Sequence, residues 1–209
     1  MSRALPRFYA ILDPALRPEV PATELARLLV RAGVRLVQLR AKTLNSGELL
    51  GLARGLLATL PPSCRLIIND RADVAVLAGA AGVHVGQDDL PARAARQVVG
   101  PEGIVGFSTH SIAQLEAAGA APVDYLAFGP VFATSTKPDH EPVVGLEGLR
   151  EAHRRTARPL VAIGGITAEN AAQVIEAGAN SVAVIGGWMT AEDIPGRLEA
   201  FRRALGRLD

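Results

Sequence analysis

This sequence of 209 residues contains few cysteines and few aromatic residues, and it carries little net charge. Cys64 is the only cysteine, which excludes an internal disulfide bond and a metal centre held by several cysteines. The formal net charge is +1, so no overall field attracts nucleic acid or an anionic membrane surface. Any anion site must therefore come from a local arrangement of residues.

Long hydrophobic runs are missing as well. No uninterrupted apolar stretch approaches the roughly 20 residues that span a bilayer. The residues that follow Met1 also lack the apolar run of a signal peptide. We therefore expect a cytoplasmic protein with no membrane partner and no nucleic-acid partner. The sequence does not indicate an oligomeric state, so a homo-oligomer stays open.

Small apolar residues are what the sequence does contain. Hydrophobic residues make up 49% of the chain and aromatic residues only 4%, with alanine, leucine, valine and glycine predominating. This mixture is typical of buried parallel strands covered by closely packed helices. The length suffices for one domain and lies near the lower limit for an eight-stranded α/β barrel.

Short apolar runs alternate with amphipathic segments along the chain. The runs lie at residues 8–12, 36–39, 66–68, 83–85, 104–107, 125–128, 160–163 and 182–185. Helical spacing is clearest at residues 23–32, 46–60, 168–177 and 191–205. Eight such alternations predict parallel strands, either in an open doubly wound sheet or in a barrel. Even unit lengths and the lack of a GxGxxG motif after the first strand favour a single (β/α)8 TIM barrel over residues 1–209.

Residue types that begin and end helices punctuate this pattern. We expect helix N-caps at Ser46, Ser111 and Thr167. We expect helices to end at Gly33, Gly82, Gly119 and Gly178. No linker divides the chain, and residues 138–142 are expected to form a longer mobile loop after the sixth strand.

Cations follow the second strand. Alternation along a strand points Gln38, Arg40 and Lys42 to one side, here the barrel mouth, where active sites of this fold lie. The two cations could be ordinary surface charges, but their position at the end of an apolar strand favours anion binding. Arginine offers a planar fork for phosphate oxygens and lysine a movable point charge.

Carboxylates follow the third and fourth strands, at Asp70 and at Asp88-Asp89. Asp70 and Asp89 each precede a helical segment, so either alone is more often a helix N-cap. Placed on neighbouring loops that face Arg40 and Lys42, the pair instead favours a hard cation bound through oxygen, typically magnesium.

Hydroxyl groups and a histidine follow the fifth and sixth strands. Ser108 can donate to a substrate, whereas His110 is equally well explained as an acid–base group and as a packed or capping residue. The segment Thr134-Ser135-Thr136-Lys137 is suited to phosphate oxygens, although such loops are often merely solvated.

Glycine pairs follow the last two strands, at Gly164-Gly165 and Gly186-Gly187. A glycine pair can simply make a tight turn. Loops after the seventh and eighth strands are nevertheless the recurring phosphate site of this fold, with backbone N–H groups and a helix N-terminus facing the anion. Two anion sites, one of them assisted by a metal, suit an enzyme that joins two phosphorylated fragments and releases diphosphate.

In their order and spacing these motifs resemble those of thiamine phosphate synthases, over roughly residues 8–201. The motifs are Gln38-Leu39-Arg40-Ala41-Lys42, Asn69-Asp70, His84-Val85-Gly86-Gln87-Asp88-Asp89, Ser108-Thr109-His110, Thr134-Ser135-Thr136-Lys137 and Gly164-Gly165-Ile166-Thr167. The resemblance implies a (β/α)8 barrel that joins hydroxymethylpyrimidine diphosphate to thiazole phosphate with Mg²⁺, forming thiamine phosphate and releasing diphosphate.

The resemblance also implies roles for individual residues. The pyrimidine diphosphate would be held by Gln38, Leu39, Arg40, Ala41, Lys42, Asn69, Ser108 and Lys137, of which Arg40, Lys42, Ser108 and Lys137 would act in catalysis. Magnesium would be held by Asp70 and Asp89. The thiazole phosphate would be held by Thr134, Ser135, Thr136, Gly165, Ile185 and Gly186.

The implied chemistry is dissociative and needs no protein nucleophile, which agrees with the lack of a convincing Ser/His/Asp or Cys/His set. Two positions depart from the family pattern. Ala41 stands where many members have glutamate, but its side chain should point away from the mouth. Gly186 stands where others have serine and keeps the backbone N–H, so phosphate binding should survive.

Two other functions remain open. The related thiazole tautomerases isomerise thiazole phosphate with a histidine that matches His110, but they lack the carboxylates seen here at Asp70 and Asp89. A non-catalytic barrel that senses phosphate ligands or thiamine phosphate would not need an intact set of magnesium carboxylates and diphosphate-binding cations.

Overall fold

Eight parallel strands close on themselves in the computed structural model, which describes residues 5–134 and 141–209. The strands are β1 (Phe8–Leu12), β2 (Leu36–Leu39), β3 (Arg65–Asn69), β4 (Gly82–Val85), β5 (Ile104–Thr109), β6 (Tyr125–Phe128), β7 (Leu160–Ile163) and β8 (Ser181–Val184). Each strand pairs with the next, and β8 pairs with β1 through Tyr9 and Ala183. The predicted barrel is confirmed, and the open sheet is excluded because the first and last strands are partners.

Helices connect the strands on the outside of the barrel. They are α1 (Ala22–Arg31), α2 (Ser46–Thr59), α3 (Ala72–Ala78), α4 (Ala92–Val99), α5 (Ile112–Ala118), α6 (Gly145–Arg155), α7 (Ala171–Glu176), α8 (Gly186–Met189) and α9 (Ile194–Leu205). A 3-10 turn at Pro14–Leu16 follows β1. Among the described residues, no helix is both long and apolar enough to cross a membrane.

Strand alternation divides the buried side chains into two cores. Tyr9, Leu36 and Ile67 belong to the core inside the barrel, whereas Phe8 and Leu39 belong to the larger core between strands and helices. Each fully buried aliphatic or aromatic side chain contributes about 1.5–3 kcal/mol. Because side chains fill the interior, the barrel is not a channel, and the strand ends are left to build a site.

Two of the three expected N-caps are wrong. Asn45, not Ser46, caps α2, and it forms a capping box: the Glu48 N–H donates to Asn45 Oδ1 at 3.0 Å, and the Asn45 N–H donates to Glu48 Oε2 at 2.9 Å. Thr167 is not a cap either, since α7 begins four residues later, after a turn. Ser111 is confirmed as the cap of α5.

The helices end at or just before the expected glycines, except near Gly82. Gly33 and Gly178 follow the last residues of α1 and α7 with positive φ, and Gly119 ends α5. Gly82 instead lies inside β4, and α3 ends earlier, at Gly79, where φ is 79°. A glycine is needed at position 82 for a different reason: a Cβ there would overlap the backbone of the neighbouring strand β5 at Ile104.

We expect Gly82→Ala to destabilise the protein by about 1–3 kcal/mol, because the added methyl group can be accommodated only by separating two backbone segments. The measurement is the free energy of unfolding in urea. Gly51→Ala is the matched control, since Gly51 lies within α2 with open space around its Cα, and alanine should add about 0.5–1 kcal/mol of stability there. Equal effects of the two substitutions would contradict the packing argument.

Candidate active site

The carboxyl ends of the strands surround a cavity of about 910 Å³. Its wall includes the predicted site residues Gln38, Arg40, Lys42, Asn69, Asp70, Asp89, Ser108, His110, Thr134, Gly165, Ile185 and Gly186. Leu39 packs in the outer core, and Ala41 lines a smaller adjoining pocket, so neither side chain lies on this wall. Ser135, Thr136, Lys137 and most of the predicted loop 138–142 lie outside the described residues.

Arg40 is held in place by a buried carboxylate that the sequence patterns did not single out. Its guanidinium donates to Asp13, whose side chain is only 5% exposed. Asp13 follows β1 directly and also accepts from the N–H of Ala15 at 3.1 Å. Because one side of the guanidinium is bound to Asp13, the fork is oriented before any ligand arrives, and its other N–H groups can serve an anion. An acid directly after an apolar strand and before a proline was the available signal.

Asp70 and Asp89 meet at the mouth, as their positions on neighbouring strand ends predicted. Asp89 is close enough to Asp70 to raise the pKa of that carboxyl, and Lys42 Nζ lies 3.1 Å from Asp70 Oδ2. The Gly86 N–H donates to Asp89 Oδ2 at 2.7 Å. Neither aspartate caps a helix, because the caps of α3 and α4 are Arg71 and Pro91. The helix-capping interpretation of these carboxylates is therefore wrong.

The surroundings of Asp70 disfavour its charged form. Burial raises the pKa of Asp70, the nearby Asp89 raises it further, and Lys42 offsets these effects only in part. The backbone of Asp70 is also in the left-handed region, with φ of 63°, which favours Asn and Asp among non-glycine residues. Two carboxylates held together against repulsion, on a strained backbone, are typical of a functional position.

The two carboxylates fit a divalent cation that takes its other ligands from solvent or substrate. Within residues 5–134 and 141–209, no three His, Cys, Asp or Glu side chains cluster closely enough to hold a metal ion. A closed structural site of the zinc type needs about four protein ligands. Magnesium typically uses one or two carboxylates together with water and phosphate oxygens. The surroundings that raise the pKa of Asp70 also favour a bound cation, because a cation would stabilise the charged form of the carboxylate.

Ser108 is connected to the interior of the barrel through His84. The His84 ring lies 2.8 Å from Ser108 Oγ through Nε2 and 2.9 Å from the Tyr125 hydroxyl through Nδ1. Burial lowers the pKa of His84 to about 4, so the ring is neutral at physiological pH. Gln38 is 3% exposed and donates to the Tyr9 hydroxyl at 2.8 Å. Sequence reasoning assigned no role to His84, although a histidine between two valines of a buried strand was the signal.

His110 lies on the cavity wall with one ring nitrogen committed. Its Nδ1 lies 2.7 Å from the carbonyl oxygen of Gly129, which can only accept, so Nδ1 carries the proton and Nε2 is the basic nitrogen. Its backbone N–H donates to Gln114 Oε1 at 2.7 Å. The ring orientation is thus set by the loop that follows β6.

The glycines that follow β7 and β8 allow close contact between the loops after β6, β7 and β8. Gly164 and Gly165 have φ of 100° and 62°, and a Cβ on Gly165 would overlap the carbonyl oxygen of Ala133 in the loop after β6. A Cβ on Gly187 would lie 2.5 Å from the carbonyl oxygen of Ile166 in the loop after β7. Close backbone approach therefore explains these glycines, and it gathers the backbone of the β6, β7 and β8 loops on the side opposite β3.

Comparison with known proteins identifies the family. The family model described as thiamine monophosphate synthase matches residues 8–187. The chain belongs to this family. The thiamine-phosphate synthase of Koribacter versatilis is 54% identical over 185 residues, covering 87% of this chain and 88% of that protein. The thiamine-phosphate synthase of Azorhizobium caulinodans is 43% identical, with coverage of 89% and 88%.

A solved structure agrees with the sequence comparisons. The thiamine phosphate pyrophosphorylase of Pyrococcus furiosus superposes with a TM-score of 0.85 at 33% identity, covering 96% of this chain and 95% of that one. The resemblance stated from the motifs is therefore confirmed, and with it the assignment to a family of transferases. The roles of individual residues remain predictions.

We expect Asp70→Asn to raise the melting temperature of the metal-free protein by roughly 1–3 °C, because it removes a charge disfavoured first by burial and then by Asp89, at a position whose backbone conformation asparagine tolerates. The sign follows from the raised pKa: the charged carboxylate lowers stability at pH 7.5. The gain disappears as the pH falls below about 3.8, where the carboxyl is protonated in both states. Asp88→Asn, at the exposed aspartate beside Asp89, is the control and should change little. A lower melting temperature for Asp70→Asn at pH 7.5 would contradict the electrostatic argument.

Proposed function

We propose that this protein condenses hydroxymethylpyrimidine diphosphate with thiazole phosphate, giving thiamine phosphate and diphosphate. The observation that carries the proposal is the division of one cavity into two unlike sides. Arg40 and Lys42 lie with the Asp70–Asp89 pair at the ends of β2 to β4. The glycine loops after β7 and β8 lie across the barrel from them. Membership of the thiamine monophosphate synthase family supports the same reaction.

The side built from β2 to β4 is proposed to hold the pyrimidine diphosphate. Arg40, oriented by Asp13, and Lys42, next to Asp70, supply positive charge where negative charge grows on the leaving diphosphate. Asp70 and Asp89 would hold magnesium, which when bound supplies further positive charge to the diphosphate oxygens. The other groups proposed for this substrate are Gln38, Asn69 and Ser108, the backbone at Leu39 and Ala41, and Lys137.

The side built from the β6, β7 and β8 loops is proposed to hold the thiazole phosphate. Thr134, Gly165, Ile185 and Gly186 lie on that part of the wall, and Ser135 and Thr136 follow Thr134 in the chain. Here a phosphate would be bound chiefly by backbone N–H groups and hydroxyls, which act as neutral donors. A fixed phosphate places the thiazole ring for reaction without a covalent bond to the protein.

The proposed reaction is a dissociative substitution at the methylene carbon of the pyrimidine. The bond between this carbon and the diphosphate oxygen breaks with its electron pair leaving on oxygen, and the cation that remains is stabilised by the ring amine. The thiazole nitrogen then donates its lone pair to form the new carbon–nitrogen bond. The protein binds, orients and stabilises charge, and no side chain has to act as a nucleophile.

Release of diphosphate is the assay that tests the proposal. With both substrates, release should require magnesium, and Asp70→Ala or Asp89→Ala should reduce it by roughly 100-fold or more, because a lost metal ligand weakens the stabilisation of the leaving group. Asp88→Ala is the matched control and should retain activity, since Asp88 is exposed in the same loop. Binding of both ligands without turnover would contradict the synthase proposal and favour a sensor of phosphate ligands.

His110 favours a second candidate activity, the isomerisation of thiazole phosphate. Its Nε2 is the basic nitrogen of a ring that lines the cavity, so it can act as an acid–base group there. If the protein is a tautomerase, it should isomerise thiazole phosphate without the pyrimidine substrate, and His110→Ala should abolish that conversion. If it is a synthase, His110→Ala should leave most of the diphosphate release intact.

A further inference from the structure

Five polar side chains form a continuous hydrogen-bonded chain across the inside of the barrel. Gln38 Nε2 lies 2.8 Å from the Tyr9 hydroxyl, which lies 3.0 Å from the Tyr125 hydroxyl. Tyr125 lies 2.9 Å from His84 Nδ1, and His84 Nε2 lies 2.8 Å from Ser108 Oγ. Tyr9, Gln38, His84 and Tyr125 are all at most 8% exposed. Tyr9, Gln38, His84 and Ser108 line the cavity, whereas Tyr125 lies behind them.

Counting protons allows this hydrogen-bonded chain to run from Gln38 to Ser108. The amide nitrogen of Gln38 donates to the Tyr9 hydroxyl, and Tyr9 can donate its own proton to Tyr125. If Tyr125 donates its one proton to His84 Nδ1, a neutral imidazole carries its only proton on Nε2 and donates it to Ser108. In this direction, no member of the hydrogen-bonded chain accepts the hydroxyl proton of Ser108.

The chemistry of the link between Tyr125 and His84 selects this direction. A phenol is a stronger acid than a neutral imidazole N–H, so the stronger of the two possible bonds has Tyr125 as donor and His84 as acceptor. The His84 ring is buried and both of its nitrogens lie beside neutral hydroxyl groups, which favours the neutral imidazole. The rings of His84 and Tyr125 are stacked, with centroids 5.5 Å apart and planes inclined by 20°, so the two side chains pack against each other as well as sharing a hydrogen bond.

Gly106 provides independent evidence that the chain is built into the fold. It lies in the interior of β5, where glycine weakens a strand and usually marks the close approach of another group. A Cβ at this position would overlap both the Tyr125 hydroxyl and His84 Nδ1. Any residue other than glycine would therefore displace the central hydrogen bond.

We propose that Tyr125 and His84 are positioning residues that make Ser108 a hydrogen-bond donor to the cavity. Ser108 would then select a ligand that presents a lone pair, such as an unprotonated ring nitrogen or a diphosphate oxygen, and would disfavour one that presents an N–H. The identity of the ligand as hydroxymethylpyrimidine diphosphate rests on the proposed function. The direction of the hydrogen-bonded chain is independent of that function.

The direction can be measured on the protein without any substrate. In the intact protein labelled with ¹⁵N-histidine, the His84 ring should show a protonated Nε2 and an unprotonated Nδ1 at pH 7.5, its signals being assigned by their loss in His84→Gln. Tyr125→Phe should shift the Nδ1 signal, because the donor is removed while the ring stays. Leu36→Val, a substitution in the same core outside the chain, should leave it in place. A proton on Nδ1, or on both nitrogens, overturns the proposal.

The positioning role is tested by steady-state kinetics of diphosphate release. His84→Leu and Tyr125→Phe should raise the KM for hydroxymethylpyrimidine diphosphate roughly tenfold and leave the KM for thiazole phosphate nearly unchanged. His84→Gln should restore most of the loss, since its amide can accept from Tyr125 and donate to Ser108. Equal changes in both KM values, or a lower melting temperature with no change in KM, would show a merely structural role.

The two measurements separate two kinds of failure. A wild-type protein that releases no diphosphate but shows the expected His84 tautomer contradicts the proposed function and leaves the directed chain standing. Active protein with the opposite tautomer contradicts the chain and leaves the function standing. Binding of inorganic diphosphate then shows whether Ser108 donates to a diphosphate oxygen or to a ring nitrogen. If Ser108 donates to a diphosphate oxygen, Tyr125→Phe should also weaken the binding of inorganic diphosphate. If Ser108 donates to a ring nitrogen, that binding should not change.

Discussion

Closure of the barrel between β8 and β1 is the constraint on which the rest of this structure depends. It gives every strand two partners and leaves no open edge of backbone donors and acceptors. Because all strands are parallel, it also collects their carboxyl ends on one rim. Residues as far apart in the chain as Arg40 and Gly186 therefore line one cavity. The packed interior below that rim leaves the mouth as the place for chemistry.

At the mouth, charge is arranged at the expense of stability. Asp70 is held near Asp89 with a raised pKa and a left-handed backbone, and Arg40 is oriented by the buried Asp13. Replacing a buried ion pair such as Arg40–Asp13 with apolar residues of similar volume is often neutral or stabilising, so stability alone does not explain these groups. In the proposed function, the carboxylates, the oriented cation and the directed hydrogen-bonded chain that ends at Ser108 are binding groups prepared before a ligand arrives, which lowers the cost of ordering them on binding.

Much of this organisation could be predicted from sequence, because strand alternation and strand ends are local properties. Each predicted apolar run agrees with an observed strand to within one or two residues, and Asp70 and Asp89 were expected to meet from their places on neighbouring strands. Predictions that depended on competing local choices failed: Asn45 outcompetes Ser46 as a cap because Glu48 completes the capping box. Gly82 looked like a helix end, but β5 passes too close to it for a side chain.

The sequence by itself determined the class of fold, the order of the strands and the chemical types of residue at their ends. These follow from periodicity and from residue identity, which need no knowledge of distant contacts. Only the tertiary structure decided that Asp13 orients Arg40, and that Gln38, Tyr9, Tyr125 and His84 connect into one chain ending at Ser108. Such contacts depend on which side chains the closed barrel brings within about 3 Å of each other, a distance set by packing across strands that no local pattern encodes.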